Sequence, residues 1–229
     1  MGDAPPPLLV THHLSLGFKN MSQFFIIHPD NPQPRLIKQA AAMLRDGAVI
    51  AYPTDSSYAL GCHLGDKTAV TRIRRMRGVD DSHYMTLMCR DLSELGHYAR
   101  VNNVQFRLLK NNTPGSYTFI LGATQEVPRR LQHPKRNTVG IRIPDHPVAL
   151  ALLEELGEPM LSSTLILPGE KQPLNDAGEI RSYLDRQVDL ILDGGTVGLE
   201  PTTVIDLTGE TPVLVRRGKG DVAPFEIED

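Results

Sequence analysis

The sequence predicts a single-domain α/β protein. Short apolar segments of strand length alternate with longer segments whose apolar residues recur every three or four positions. The chain has 229 residues, 40% of them hydrophobic, which is enough to bury one sizeable core. We expect the domain to cover residues 21–221, with tails at 1–20, where no useful periodicity is found, and at 222–229.

Each predicted helix has an apolar face, and several begin at a polar residue that can cap the N-terminus. Asn31 before Pro32 starts the first helix, and Asp66 can cap the second. Asp91 and Glu94 have the spacing of a capping box at the start of the third. In chain order, the predicted helices lie at 31–47, 66–78, from 91 onward, 104–110, 145–156 and 177–184.

Each predicted strand is a short apolar run, often β-branched, between turn-forming residues. The predicted strands lie at 48–52, 85–89, 117–121, 139–143, 160–164, 188–192, 203–207 and 213–216. Together with the helices they give the alternating order of an α/β protein.

A polar turn follows the first predicted strand. Pro53 fixes φ and ends the strand. The next four residues carry hydroxyls or a carboxylate: Thr54, Asp55, Ser56 and Ser57. Asp55 can cap the turn, or it can bind a metal ion or a substrate amine, and the residues alone leave both open. We interpret this segment as a strand that opens into a functional site.

Composition restricts the class of protein. No run of about 18 apolar residues could span a membrane, and residues 1–20 lack the pattern of a signal peptide. A soluble cytoplasmic protein without membrane contact is therefore expected. Cys62 and Cys89 have no metal-ligand spacing, nor have the histidines, so we predict no protein metal site and two buried cysteines.

The cations are clustered although the net charge is −3. The clusters are Arg72, Arg74, Arg75 and Arg77; Arg129, Arg130, Lys135 and Arg136; and Arg216, Arg217 and Lys219. Clusters of this kind line an anion-binding groove or form a solvated helix face, and we expect the latter for Arg72 and Arg74. The sequence has no GxxxxGK[ST], GxGxxG, HExxH or GxSxG motif. Arginines and hydroxyls remain, and these side chains are suited to holding anions.

Several segments together, in the same order, resemble the YrdC/YciO family over about residues 21–221. They are Tyr52–Gly61, Arg75–Arg77, Pro114–Phe119, Val139–Pro147, Pro159–Thr164 and Pro201–Leu207. The chain is more similar to the YciO branch than to the proven synthases of the family. The resemblance implies a YrdC-like fold, with a twisted mixed β-sheet, flanking helices and a concave basic groove.

The resemblance also implies an activity. The family's synthases convert L-threonine, bicarbonate and ATP into threonylcarbamoyl-AMP and pyrophosphate, for threonylcarbamoyladenosine modification of tRNA. The implied partners are an ATP- or AMP-type nucleotide, L-threonine and structured RNA or tRNA, with Mg²⁺ accompanying ATP. The oligomeric state does not follow from the sequence.

Site residues follow by resemblance, position by position. The implied catalytic residues are Arg75 and Arg77. The implied substrate-binding residues are Thr54, Asp55, Tyr58, Thr118 and Arg142. The implied nucleotide-binding residues are Ser162, Ser163, Thr164, Thr202 and Arg216.

The chain departs from the synthase pattern at three positions. Arg75 replaces a lysine, His83 stands near the place of a second lysine, and Ile166 replaces an asparagine. Two alternatives to synthase activity therefore stay open: a non-catalytic protein that binds double-stranded RNA or tRNA, and a hydrolase acting on threonylcarbamoylated adenosine. With 5% aromatic residues and no Trp, the sequence offers no stacking platform for single-stranded nucleic acid.

Overall fold

The computed structural model describes residues 21–80, 83, 85–133 and 135–225. The helices are α1 (Pro34–Arg45), α2 (Lys67–Arg77), α3 (Leu92–Tyr98), α4 (Asn103–Asn112), α5 (Pro147–Leu156) and α6 (Ala177–Leu184). The strands are β1 (Gln23–Ile26), β2 (Ile50–Pro53), β3 (Tyr58–His63), β4 (Thr86–Met88), β5 (Ala99–Arg100), β6 (Tyr117–Ala123), β7 (Thr138–Arg142), β8 (Met160–Thr164), β9 (Leu190–Asp193), β10 (Thr203–Asp206) and β11 (Val213–Arg216). The predicted α/β class is confirmed. In the described ranges no helix is long and apolar enough to cross a membrane.

All of these strands belong to one twisted mixed sheet. Its order is β1-β9-β2-β3-β8-β4-β7-β6-β10-β11, and β5 pairs with β6 at the side. The pairs β1/β9, β2/β9, β4/β7 and β6/β10 are parallel, and the remaining pairs are antiparallel. Distant parts of the chain meet at β8, where Ser162 is opposite Gly61 on one side and Thr86 on the other.

Helices cover one face of the sheet and part of the other. On the first face, Ile73 of α2, Leu109 of α4 and Ile180 of α6 belong to the same buried core as Phe119 and Ile141 of the sheet. The core on the second face is formed by α1 and α5 against the half of the sheet around β9, β2, β3 and β8. Residues of α1 at helical spacing are buried there, which is why its amphipathic pattern predicted it.

The rest of the second face forms the floor of a groove. Successive side chains along a strand point to opposite faces. Because Phe119 and Ile141 point into the first core, their neighbours Thr118, Ile120 and Gly140 face the other side, beyond α1 and α5. The topology therefore leaves several strands with one face open to a ligand.

The caps agree with the sequence in most places. Asp66 accepts a hydrogen bond from the Ala69 N–H at 2.9 Å, as predicted for the start of α2. Asp91 caps α3 by accepting from the Glu94 N–H. The reciprocal bond of a capping box is absent there, because Glu94 accepts from the Arg90 N–H instead.

Some predicted boundaries are wrong. Helix α1 begins at Pro34, with Gln33 as N-cap, and the N–H of Asn31 bonds to the His28 ring. Strands β1 and β3 were not predicted. Strand β3 begins at Tyr58, directly after the polar turn, where Pro53 and Ser57 predict a loop and not a strand.

The packed part of the chain extends past residue 221. Val222 and Phe225 are buried, and the Phe225 ring lies 5.5 Å from the Tyr117 ring and 5.9 Å from the Phe119 ring, centroid to centroid. Residues 222–225 thus belong to the domain rather than to the expected tail. The expected tail at 1–20 lies outside the described residues.

Both cysteines are free and buried, as predicted. Burial raises the pKa of the Cys62 thiol to about 12 and raises the pKa of Cys89 as well. They therefore pack as small apolar side chains and are not nucleophiles.

Candidate functional site

A groove of about 400 Å³ lies on the open part of the second face. Its charged and ring side chains are Arg77, His83, His133, Arg136 and Arg216. Its hydroxyl side chains are Thr86, Thr118, Thr138, Ser162, Ser163, Thr164 and Thr202. Apolar side chains, among them Ile120, Leu131 and Val204, cover the other end. Within the described ranges no carboxylate lines this groove, so its walls favour an anionic ligand.

A small recess of about 20 Å³ adjoins the groove. It shares Thr118, Ser162 and Ser163 with the groove and is also lined by Thr54 and Arg142. A space of this size admits about one water molecule. The polar turn predicted from the sequence thus lies beside the groove.

The Thr54 hydroxyl holds the turn together. The side chain is 1% exposed, and its Oγ1 donates to the Ser57 carbonyl at 2.6 Å. The same oxygen accepts from the N–H groups of Ser56 and Ser57, both at 3.3 Å. Thr54 lines the recess, but these hydrogen bonds already use its hydroxyl.

Asp55 forms a buried ion pair with Arg142. Arg142 Nη2 donates to Asp55 Oδ1 at 2.5 Å, and both side chains are less than a tenth exposed. The other carboxylate oxygen accepts from the Ser116 hydroxyl, and Oδ1 also accepts from the Asp145 N–H. Burial raises the pKa of Asp55, but Arg142 and these hydrogen bonds outweigh burial and lower it overall.

Of the two roles left open for Asp55, the structure supports the structural one. Both of its oxygens are occupied by protein donors. In the described part of the chain no group of three or more His, Cys, Asp or Glu side chains could hold a metal ion. A direct contact of Asp55 with a substrate would have to compete with these protein donors, and it stays a prediction.

Arg142 lines the recess, and its Nε–H donor is unpaired. Its Nη1 donates to the Ser56 hydroxyl at 3.1 Å, while its buried Nε–H has no hydrogen-bond partner. A buried donor without an acceptor is costly, so a ligand oxygen at this point would be stabilised. The strand β7 holds Arg142 there, opposite Met88 of β4.

A second cluster joins α2 to β8 at the groove wall. Arg77 Nη1 donates to Ser163 Oγ at 2.5 Å and to His83 Nε2 at 2.9 Å. His83 Nε2 is also 3.4 Å from Ser163 Oγ. Burial and the positive charges of Arg77, Arg74 and Arg216 lower the pKa of His83 to about 4.

Arg216 and two threonines form the opposite wall. Arg216 donates from Nε and Nη2 to the Thr202 carbonyl at 3.1 and 2.8 Å, and from Nη2 to Thr202 Oγ1 at 3.0 Å. The Thr202 and Thr118 hydroxyls are 3.0 Å apart. Burial and the positive charge of Arg142 lower the pKa of Arg216. Burial and the positive charge of Arg216 lower the pKa of Arg77.

The structure brings most of the predicted residues together. Lining residues of the groove or the recess include Thr54, Arg77, Thr118, Arg142, Ser162, Ser163, Thr164, Thr202 and Arg216. These residues come from separate segments of the sequence, and the order of strands in the sheet unites them.

Arg75 does not lie with Arg77. It is exposed and lines a different cavity, beside Leu167 and Tyr183. Residues two apart on a helix do not face each other. The arginine pair expected at the phosphates is therefore reduced to Arg77.

Tyr58 does not line the groove or the recess. Its ring is fully buried in the first core, and its hydroxyl donates to the Gly195 carbonyl at 2.9 Å. Burial raises its pKa. The predicted substrate contact is replaced by a structural role, because Tyr58 lies in a strand and not in the turn.

Other expectations for the basic segments need correction. Arg72 was expected to be solvated, but it forms an ion pair with Asp189 at 2.8 Å and links α2 to the start of β9. Ile166, which stands where the synthases have an asparagine, is half-buried and lines neither the groove nor the recess.

Sequence reasoning missed Arg136, His133 and Met85 as groove residues. Arg136 belonged to a noted basic cluster, but nothing in the sequence placed it opposite Asp206. Its Nη2 contacts Asp206 Oδ2 at 2.5 Å, and Asp206 Oδ1 accepts from the Thr208 N–H at 2.9 Å. Asp206 is thus the strand-end cap that its position after a β-branched run favours.

The mixed sheet and its open face define an α/β protein with a ligand-sized groove whose walls carry arginines and hydroxyls. The chain belongs to the Sua5/YciO/YrdC family, whose model, described as "Telomere recombination", matches residues 42–218.

The relatives separate into two groups by identity. YciO of Escherichia coli, an uncharacterised protein, is 63% identical over 205 residues, which is 90% of this chain and all of the relative. Its crystal structure superposes with a TM-score of 0.87 over 90% of this chain and 100% of that one. A threonylcarbamoyl-AMP synthase of Halorhodospira halophila is 30% identical over 82% of this chain and 98% of its own length. Sua5 of Pyrococcus abyssi, solved with L-threonine, is 28% identical with a TM-score of 0.79 over 86% of this chain and 58% of that chain.

Proposed function

We propose that the groove binds ATP and L-threonine and carries out a synthase-type reaction, from L-threonine, bicarbonate and ATP to threonylcarbamoyl-AMP and pyrophosphate. The observation that carries this proposal is the convergence of Arg77, Arg142 and Arg216 around one hydroxyl-lined cleft. The reaction needs positioning and charge stabilisation more than a protein nucleophile. Arginine forks supply both, because they bind phosphate and carboxylate oxygens in fixed directions.

The amino acid is assigned to the recess side of the groove. The unpaired Arg142 Nε–H supports this position, because it suits an oxygen of the ligand. The L-threonine complex of the Pyrococcus relative supports the choice of amino acid. The recess alone admits about one water, so the amino acid would extend from the recess into the groove. Thr54 would then act by shaping the turn, since its hydroxyl is already hydrogen-bonded to Ser57.

Magnesium would arrive with ATP. Protein sites for Mg²⁺ commonly use one or two carboxylates together with substrate phosphates. The described groove residues include no carboxylate, so they do not fit a protein-held Mg²⁺ site. The role of the chain is therefore to hold the nucleotide through arginines and hydroxyls.

The test is a coupled assay with L-threonine, bicarbonate, ATP and Mg²⁺ that follows both pyrophosphate and threonylcarbamoyl-AMP. We expect threonine-dependent product in the parent and a loss of about 100-fold or more in Arg77→Ala, as for removal of one charge-stabilising donor. Arg75→Ala is the matched control, because it removes the same charge from the same helix outside the groove.

The assay can contradict the proposal directly. A folded, nucleotide-binding parent that forms no threonine-dependent product rules out the synthase reaction. Release of threonine from threonylcarbamoylated adenosine by that protein would instead support the hydrolytic alternative in the same groove.

Structured RNA or tRNA is a second candidate ligand. Arg136 and Arg216 line the groove, and further exposed cations stand near them in the chain: Lys135, Arg217 and Lys219. Cations of this kind suit a duplex backbone, which is bound through phosphates and shape. RNA binding without turnover in the coupled assay would favour the non-catalytic reading.

A further inference from the structure

His83 is an imidazole on the groove wall that the family resemblance does not assign. It lines the groove and is half-buried, with Nε2 at 2.9 Å from Arg77 Nη1 and 3.4 Å from Ser163 Oγ. A guanidinium can only donate, so His83 Nε2 is the acceptor and the ring proton is on Nδ1. The lone pair of Nε2 therefore points towards Arg77 and Ser163, and Ser163 also lines the recess.

Few other groups at this site could accept a proton. Among the described residues that line the groove there is no carboxylate. Asp55 is engaged by Arg142 and Ser116, and Asp206 by Arg136 and Thr208. The second groove imidazole, His133, uses Nδ1 to accept from the N–H groups of Lys135 and Arg136, at 3.2 Å each, and does not border the recess.

We propose that His83 is the proton acceptor for the amine nucleophile in this groove. The inference rests on the proposed function, in which the α-ammonium group of the amino acid must lose a proton before its nitrogen can attack. His83 Nε2 takes that proton and becomes an imidazolium. The nitrogen lone pair then forms the C–N bond to bicarbonate carbon, the C–O bond to hydroxyl breaks, and hydroxide leaves as water with a second amine proton. The products are a carbamate, water and the imidazolium, so atoms and charge balance.

Binding of an anionic ligand would prepare His83 for this role. In the empty groove its pKa is about 4, because burial and the charges of Arg77, Arg74 and Arg216 outweigh the opposite effect of Asp80. A phosphate that pairs with Arg77 draws the guanidinium away from Nε2 and offsets its charge. The pKa of His83 then rises towards the range in which a general base is effective near neutral pH.

The test compares His83→Gln with His97→Gln, an exposed histidine on α3. We expect kcat of His83→Gln to fall about 100- to 10,000-fold, the usual contribution of a general base, with KM for ATP and L-threonine changed less than about threefold. His97→Gln is expected to match the parent. Added imidazole is expected to restore part of the rate to His83→Ala, which a purely structural role would not explain.

A pH titration of the ring by NMR supplies the second readout. The His83 signal, assigned by its absence from His83→Gln, is expected to titrate near pH 4 in the free protein and at least about one unit higher with inorganic pyrophosphate. His83→Gln that turns over as fast as the parent, or failure of imidazole to rescue His83→Ala, overturns the inference alone. Absence of threonine-dependent product in the parent overturns the proposed function and the inference with it.

Discussion

At the scale of single residues, the Asp55–Arg142 ion pair joins the polar turn to strand β7. Arg142 is 6% exposed and uses its two terminal nitrogens for Asp55 and Ser56. A buried pair of this kind need not add stability by itself, but each charge makes the other tolerable. Removing one partner therefore tests whether the turn depends on the pair.

We predict that Asp55→Asn lowers the free energy of unfolding by about 3 kcal/mol at pH 7, because Arg142 would stay buried without its counter-charge. Urea unfolding measures the change. The folded pKa of Asp55 is lowered, so its contribution is present above the unfolded pKa of about 3.9 and is lost as the pH falls through the folded value. The difference between parent and variant should therefore shrink below about pH 4. An unchanged difference at pH 7 and pH 3 would contradict the assignment.

The local pattern of the sequence predicted the strands that carry several candidate site residues, whereas the site roles came from the family resemblance. Ser162 and Arg142 lie in strands that their apolar surroundings predicted, and both line the recess. Arg75 was misplaced because residues two apart on a helix point in different directions, although α2 itself was predicted with the correct cap. Tyr58 was misplaced because β3 was not predicted. One residue of error along a strand exchanges its two faces.

At the scale of elements, β7 supplies the floor of the groove with a residue that has no side chain. Gly140 lies between Thr86 of β4 and Ile120 of β6. A Cβ atom built on Gly140 would have Thr118 Cγ2 at 3.4 Å as its nearest neighbour, which is an acceptable contact. The position thus has room for a larger residue, at the expense of the groove.

We predict that Gly140→Val lowers nucleotide affinity at least about tenfold while thermal stability is unchanged or higher, since valine favours strands and glycine does not. Isothermal titration with ATP and a melting curve measure the two effects. Gly122→Val, on β6 and outside the groove walls, is the control. Equal loss of affinity in both variants would contradict the proposed binding of the nucleotide in the groove beside Gly140.

Some elements could not be predicted from local patterns. Strand β1 lies at the edge of the sheet with no fully buried residue, and its pairing with β9 depends on residues more than 160 positions away. Strand β3 follows the polar turn directly, so the turn residues conceal the start of the strand. In contrast, α2, α5 and α6 carry caps and apolar stripes that specify them locally.

At the scale of the whole molecule, the charged residues that line the groove differ in sign from the net charge. The net charge is −3, yet the groove is lined by Arg77, Arg136 and Arg216 and by no carboxylate among the described residues. A protein of this kind can attract a polyanion to one face and repel it elsewhere. Affinity for RNA should therefore depend on salt far more than affinity for an enclosed small ligand.

We predict that tRNA affinity falls steeply between about 50 and 200 mM salt, whereas L-threonine affinity stays within about twofold. Lys219 is exposed and does not line the groove. Lys219→Glu should reduce the slope of log tRNA affinity against log salt by about 1 or more. Filter binding and calorimetry give the two affinities. A tRNA affinity that does not respond to salt would argue against a phosphate-binding surface.

The order of strands also determines when the site can exist during synthesis. Its hydroxyls on β8 lie between β3 and β4, whereas Arg216 in its far wall belongs to β11, which follows the other described strands in the sequence. Most sheet partners are distant in sequence, and such topologies fold slowly because loops must close before contacts form. A nascent chain on the ribosome can thus pair the earlier groove strands with one another before β10 and β11 emerge to add the wall that holds Arg216. For this fold, the ligand site is complete only when β11 has joined the sheet, and until then the free edge of β6 is what a chaperone would have to protect.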